Sequence, residues 1–157
     1  PPVWAVGTGG RKFRPVGTCY DTFSLLFQYP KDVGVTFSSR QSEGHGTKPD
    51  GIRNRMFGTE GILETTYGGQ VLIRGEHFYR GGASPGIYKD GAVANIKTFH
   101  DDVVNGNYEN PTVAPSVRSN LVTVLGRTAA YENRLITWDD LLKEKQVMGA
   151  NLKGLKS

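Results

Sequence analysis

Few residues of this chain have a type and spacing that could do chemistry. The most suggestive run is Gly7-Thr8-Gly9-Gly10-Arg11. Glycines between a strand and a helix can cradle a phosphate, because the helix N-terminus supplies free amides and the positive end of its dipole. Here the next residues are Arg11-Lys12-Phe13-Arg14-Pro15-Val16-Gly17, which carry no helical pattern. The run therefore reads as a turn that ends a strand, with Arg11 placed to reach an anionic or hydroxylated ligand. Of the histidines, His100 follows Phe99 at helical spacing and reads as a helix residue, and His77 follows Glu76 in a strand and reads as structural. His45 lies between Gly44 and Gly46 in a polar stretch where no core needs it, so it is the histidine best placed to touch a ligand. No His-x-x-x-His or comparable metal spacing occurs. The carboxylates declare no catalytic pair. Asp101-Asp102 reads as a solvated helix face and Asp139-Asp140 as a helix start, while nothing marks Glu43, Asp50, Glu60 or Glu64 as a tuned acid or base. No Gly-x-Ser-x-Gly occurs, and Cys19 has no evident histidine partner.

These residues sit in a chain of 157 with 37% hydrophobic and 22% charged residues, a globular composition for a single domain. The net charge is +4, but Lys and Arg are scattered and the only dense basic patch is Arg11-Lys12-Phe13-Arg14. A solvated basic surface accounts for that balance better than a nucleic-acid interface. One cysteine excludes an internal disulfide and any multi-cysteine metal site. It favours a cytoplasmic setting, although the location stays unassigned because any export signal would lie upstream. No apolar run approaches the roughly 20 residues that span a bilayer. The chain opens Pro1-Pro2-Val3-Trp4, so a preceding segment is expected.

The elements that must position these residues change character along the chain. Val3 to Thr8 is a short apolar run. Phe23, Leu25, Phe27 and Tyr29 alternate onto one face, Pro30-Lys31-Asp32 turns the chain, and Val33, Val35 and Phe37 continue the alternation, which predicts an antiparallel hairpin. The opposite face carries Ser24, Gln28, Thr36 and Ser38. A long polar loop runs from Gln41 to Asn54. Strands follow at Arg55–Phe57, Ile62–Tyr67 and Val71–Arg74, and a second Gly-rich loop spans Arg80 to Gly91. Ile96, Phe99, Val103 and Val104 then take helical spacing, stopped by Asn105-Gly106-Asn107. A second helix runs from about Ser116 to Tyr131, where Gly126, Ala129 and Ala130 permit close packing. Thr137-Trp138-Asp139-Asp140 announces a third helix. Strands followed by helices predict an α+β fold, a mostly antiparallel open sheet with helices packed on one face. Residues 1–145 form that domain and 146–157 a frayed tail.

Two segments go beyond pattern. One is Ala5-Val6-Gly7-Thr8-Gly9-Gly10-Arg11 with the hairpin ending Phe37-Ser38-Ser39-Arg40-Gln41 and the turn Phe57-Gly58-Thr59-Glu60-Gly61. The other is Arg118 to Tyr131, ending Gly126-Arg127-Thr128-Ala129-Ala130-Tyr131, followed by Ile136-Thr137-Trp138-Asp139-Asp140-Leu141-Leu142. Together they resemble the C-terminal domain of the Gfo/Idh/MocA oxidoreductases, the glucose–fructose oxidoreductase and inositol dehydrogenase family, over nearly the whole chain. The resemblance implies an N-terminal Rossmann domain that binds NAD or NADP, a C-terminal sheet domain, and a sugar or polyol substrate between them. It also implies homo-oligomers built through the sheet, while the scattered charge and the lack of a long apolar run make neither nucleic acid nor membrane an expected partner. The family's Gly-x-Gly-x-x-Gly and Glu-Lys-Pro motifs and its Asp/His helix are missing here, so no catalytic residue and no cofactor-binding residue is expected in this chain. Whether the chain alone is an enzyme stays open, and NAD or NADP belongs to the full-length protein. Arg11, Arg40 and His45, at strand ends or in the long loop, are the expected substrate-binding residues. Two rival readings remain: a free-standing sheet-forming binding or assembly module, and a nucleic-acid binder resting on the Arg11–Arg14 patch.

Overall fold

The computed structural model describes residues 1–41, 51–144 and 149. The fold is α+β, with antiparallel sheets and helices. The span expected as one domain divides into two compact units, residues 1–42 with 111–157, and residues 43–110.

The first unit is built on a four-stranded sheet of order β3-β2-β1-β8, from β1 (Trp4–Gly10), β2 (Thr22–Gln28), β3 (Gly34–Arg40) and β8 (Ile136–Thr137). The expected hairpin is β2–β3. Its turn places Lys31 and Asp32 in the left-handed region, φ 62° and 59°, and Tyr29 N–H closes it on the Val33 carbonyl at 2.8 Å. Register sets Ala5 opposite Phe27 and Phe27 opposite Val35, and likewise Gly7, Leu25 and Phe37. Directly opposed residues share a face. Helix α2 (Val113–Glu132) covers the β1–β2 part of that face, and α3 (Trp138–Glu144) adds Trp138 and Leu141 to the same cluster. Ala5, Leu25, Phe27, Leu125, Ala129, Ala130 and Ile136 are the buried core. Burying a leucine or isoleucine such as Leu125 or Ile136 stabilises by roughly 1.5–3 kcal/mol. On the edge strand, Val35 and Phe37 stay 42% and 47% exposed.

The Gly7–Gly10 run does not end the strand. It lies within β1, which continues to Gly10. The reason is close approach: a Cβ at Gly7 would sit 2.3 Å from the Ser24 carbonyl oxygen, and one at Gly9 would sit 2.6 Å from that of Thr22. The glycines are there so that β1 can lie tightly against β2.

The second unit holds the sheet β4-β5-β6-β7, from β4 (Arg53–Phe57), β5 (Gly61–Thr66), β6 (Val71–Gly75) and β7 (Tyr79–Arg80), followed by helix α1 (Ile87–Val104). The stretch expected as loop to Gly91 becomes helix at Ile87. The helix start is held against the β5–β6 turn, where Ser84 N–H donates to the Gly68 carbonyl at 3.2 Å and the Tyr67 and Tyr88 rings meet at 5.0 Å. No α1 residue is buried. Among the described residues, no helix is long and apolar enough to cross a membrane.

Candidate functional site

The candidate residues that can be placed lie at one end of the first unit's sheet. Gly10, Thr22 and Arg40 form a single cross-strand row there. Arg11 follows Gly10 directly and opens the loop 11–21. His45 lies outside the described residues, as do Glu43 and Asp50.

The loop is organised by a carboxylate that no motif announced. Asp21 is 1% exposed. Its oxygens accept the backbone N–H groups of Lys12, Phe13 and Arg14, each at 2.9 Å, and the Thr22 hydroxyl at 3.1 Å. Burial pushes this carboxyl up, but the hydrogen bonds from the Lys12, Arg14 and Phe13 amides and from Thr22 together outweigh it and hold the group well below the ordinary carboxylate range. Asp21 is thus a fixed anion in a nest of backbone amides. Its backbone is tied as well: its N–H donates to Gly10 at 3.0 Å and its carbonyl accepts Gln41 N–H at 2.8 Å. All three strand ends are fastened at this residue.

The amides that follow the glycine run are spent on Asp21, and a loop, not a helix, follows β1. The Arg11 guanidinium turns back onto its own loop and donates to the Gly17 carbonyl.

An aromatic group supports the corner from the helix side. The Tyr20 and Tyr131 rings stack at 3.9 Å, and the Tyr131 hydroxyl accepts Tyr20 N–H at 2.9 Å. Arg127 lies 4.5 Å over the Tyr131 ring, a cation–π contact. The Gly126-Arg127-Thr128-Ala129-Ala130-Tyr131 run therefore acts locally. Gly126 and the alanines seat the helix, while Arg127 and Tyr131 clamp the loop.

Other chemistry-bearing residues are not drawn together. His100 is exposed on α1, 3.4 Å from Asp101. His77, expected in a strand, sits in the β6–β7 turn beside a shallow recess shared with Met56, Glu60 and Ile73. Glu64 lies between Arg55, at 2.9 Å, and Arg74. Asp140 is the N-terminal partner of Thr137, whose hydroxyl accepts its N–H at 3.1 Å and donates to its carboxylate at 2.6 Å. Among the described residues, no group of His, Cys, Asp and Glu could hold a metal ion.

No family model matches the sequence, and no curated protein matches it. The fold is similar to a solved structure from Thermotoga maritima described as a "putative oxidoreductase", with a TM-score of 0.61 and 16% sequence identity. The match covers 87% of this chain and 41% of that one, so the chain spans less than half the length of that neighbour. At this identity the likeness carries the fold: an α+β arrangement shared with part of an oxidoreductase-type chain.

Proposed function

We propose that the chain is the C-terminal, substrate-and-assembly domain of a nicotinamide-dependent oxidoreductase of the Gfo/Idh/MocA kind, acting on a sugar, polyol or derivative. One observation carries the reading. The β1–hairpin part of the first segment that resembles the family and the helix run of the second meet in one packed unit, with Gly126 of the helix run against Leu25 and Phe27 of the hairpin, in a fold shared with the oxidoreductase-type neighbour, while the Phe57–Gly61 turn belongs to the other unit. In this reading an N-terminal Rossmann domain holds NAD or NADP and supplies the catalytic groups. This chain supplies a wall of the substrate pocket, with Arg11, Arg40 and His45 as donors to hydroxyl groups. The sheet face bearing Ser24, Gln28, Thr36 and Ser38 is the homo-oligomer surface.

The experiment is to read the coding sequence upstream of Pro1 and to assay the full-length product for nicotinamide reduction with a panel of sugars and polyols. A Rossmann fingerprint, a Glu-Lys-Pro motif and turnover support the reading. Alanine at Arg11, Arg40 or His45 then raises KM, by about tenfold where a charge-assisted hydrogen bond is lost. A start codon close to Pro1 sinks the reading and leaves a free-standing binding or assembly module.

A further inference from the structure

The first unit's sheet ends on one side in β3, a strand of 7 residues, and on the other in β8, which has 2. Among the described residues β3 pairs with β2 alone, and every β3 residue except Ser39 is exposed. The hairpin's hydrogen bonds show which backbone groups remain. Tyr29 N–H donates to the Val33 carbonyl and, at the far end, Gln41 N–H to the Asp21 carbonyl, each at 2.8 Å. Bonded pairs alternate along an antiparallel ladder. Val35, Phe37 and Ser39 therefore bond to β2, while Gly34, Thr36, Ser38 and Arg40 turn their N–H and C=O groups outward. Such a row is a template for another strand, and proteins blunt it with charge, proline, bulges or short length. In the second unit β7 is short and β4 carries Arg53 and Arg55. From Gly34 to Ser39, β3 has none of these devices.

Two features fit this edge to a second copy of itself. Antiparallel pairing about a dyad at Phe37 sets Gly34 against Arg40 and Thr36 against Ser38, so each outward-turned residue meets another. Phe37 then lies opposite its counterpart in a non-bonded pair, where side chains come closest, on the face it shares with Leu25. Phe37 is 47% exposed, and that pairing buries it. The charges match as well. Arg40 comes opposite Gly34 of the second copy, two residues from the exposed Asp32 of its turn. Nothing lies within 4 Å of the position a Gly34 Cβ would take, so the guanidinium has room to reach that carboxylate.

We propose that β3 is a homodimer edge, pairing antiparallel with β3 of a second copy and joining the two sheets into one across the dyad. The pairing uses the backbone edge and leaves the Ser24, Gln28, Thr36 and Ser38 face open. Arg40 keeps N–H groups for the hydroxyl donation proposed above. The inference does not depend on the activity of the full-length protein. The test is sedimentation velocity of the whole chain from about 1 to about 300 µM. The paired edge is small, so a reversible monomer–dimer equilibrium is expected, with Kd on the order of 10 µM. Thr36→Pro removes an outward N–H and spares the bonds to β2, and proline is tolerated on such an edge. That variant is expected to stay monomeric with the parent's circular dichroism. Arg40→Glu is expected to weaken the dimer roughly fivefold in dilute buffer, the difference fading in about 1 M salt. A monomer at every concentration overturns the proposal and means that the edge is covered within the chain or kept for a different strand. A dimer that persists in Thr36→Pro also overturns it, because association then uses another surface, and the polar sheet face keeps its proposed role. A dimer indifferent to Arg40→Glu at low salt overturns the register centred on Phe37.

Discussion

Asp21 shows how much one buried carboxylate can organise. It fastens β1, β2 and β3 at a common end and spends the amides of a loop that would otherwise face an anion. Its removal should be felt as loop order rather than as lost apolar burial. Asp21→Asn keeps the shape but replaces one acceptor oxygen with an N–H₂ group aimed into a ring of donors. The variant is expected to lower Tm by on the order of 5 °C and to bring forward amide exchange at Lys12, Phe13 and Arg14, which hydrogen exchange by NMR would read. The pH dependence has a definite sign. The folded carboxyl titrates below its unfolded value, so the unfolded chain takes up a proton first. This part of the stability is fully present above about pH 4 and is lost as pH falls through the acid range. Urea unfolding from pH 7 down to pH 3 should show the parent losing stability more steeply than Asp21→Asn. Parallel curves would mean that Asp21 is not the anchor. None of this was legible in the sequence. An aspartate before a strand is common, and its partners are defined only once the loop has closed.

At the scale of elements, the sequence was informative wherever one residue's face was set by its near neighbours. The alternation from Phe23 to Phe37 implied the β2–β3 hairpin, and the register confirms which residues share a face. The small residues of α2 implied close packing, and Gly126 is that contact: a Cβ there would lie 2.5 Å from Phe27 Cζ and 2.8 Å from Leu25 Cδ1. Alanine favours a helix over glycine by about 1 kcal/mol, yet overpacking costs roughly 1–3 kcal/mol. Gly126→Ala is therefore expected to destabilise by about 1–2 kcal/mol in urea unfolding. Phe27→Leu in the same chain should recover part of the loss, because the clash falls on the ring, and strict additivity would refute the contact. Thr137 caps α3 through Asp140, and Thr137→Ala should cost about 1 kcal/mol. The misreadings share one cause. Glycine in Gly7–Gly10 suggested a turn and glycine at Gly86 and Gly91 suggested a loop, whereas the first run serves strand-to-strand approach and Gly91 lies inside α1. What a glycine is for depends on the atoms beside it, which local sequence does not reveal.

For the whole molecule, composition suggested one domain with one core, and the burial is less even than that. Every buried hydrophobic residue among those described belongs to the unit formed by residues 1–42 and 111–157. The unit of residues 43–110 has sheet ladders and a helix but leaves Phe57, Phe78, Ile96 and Phe99 about two-thirds or more exposed. Hydrogen-bonded ladders alone contribute little net stability, because water satisfies the same groups in the unfolded chain. A sheet and helix without a buried face lack the main favourable term in folding. The two units should therefore differ sharply when separated. A chain in which residues 43–110 are replaced by a flexible linker of about 15 Gly and Ser residues, reaching roughly 20 Å, is expected to keep a cooperative urea transition with a smaller m-value. Residues 43–110 alone are expected to show no cooperative transition by circular dichroism. If the shortened chain also lost cooperativity, the Ala5–Phe27–Leu125–Ile136 core would be insufficient by itself, and the units would have to be regarded as one folding system. If the isolated 43–110 segment melted cooperatively, the apolar residues it exposes would be surface by design rather than a face awaiting cover.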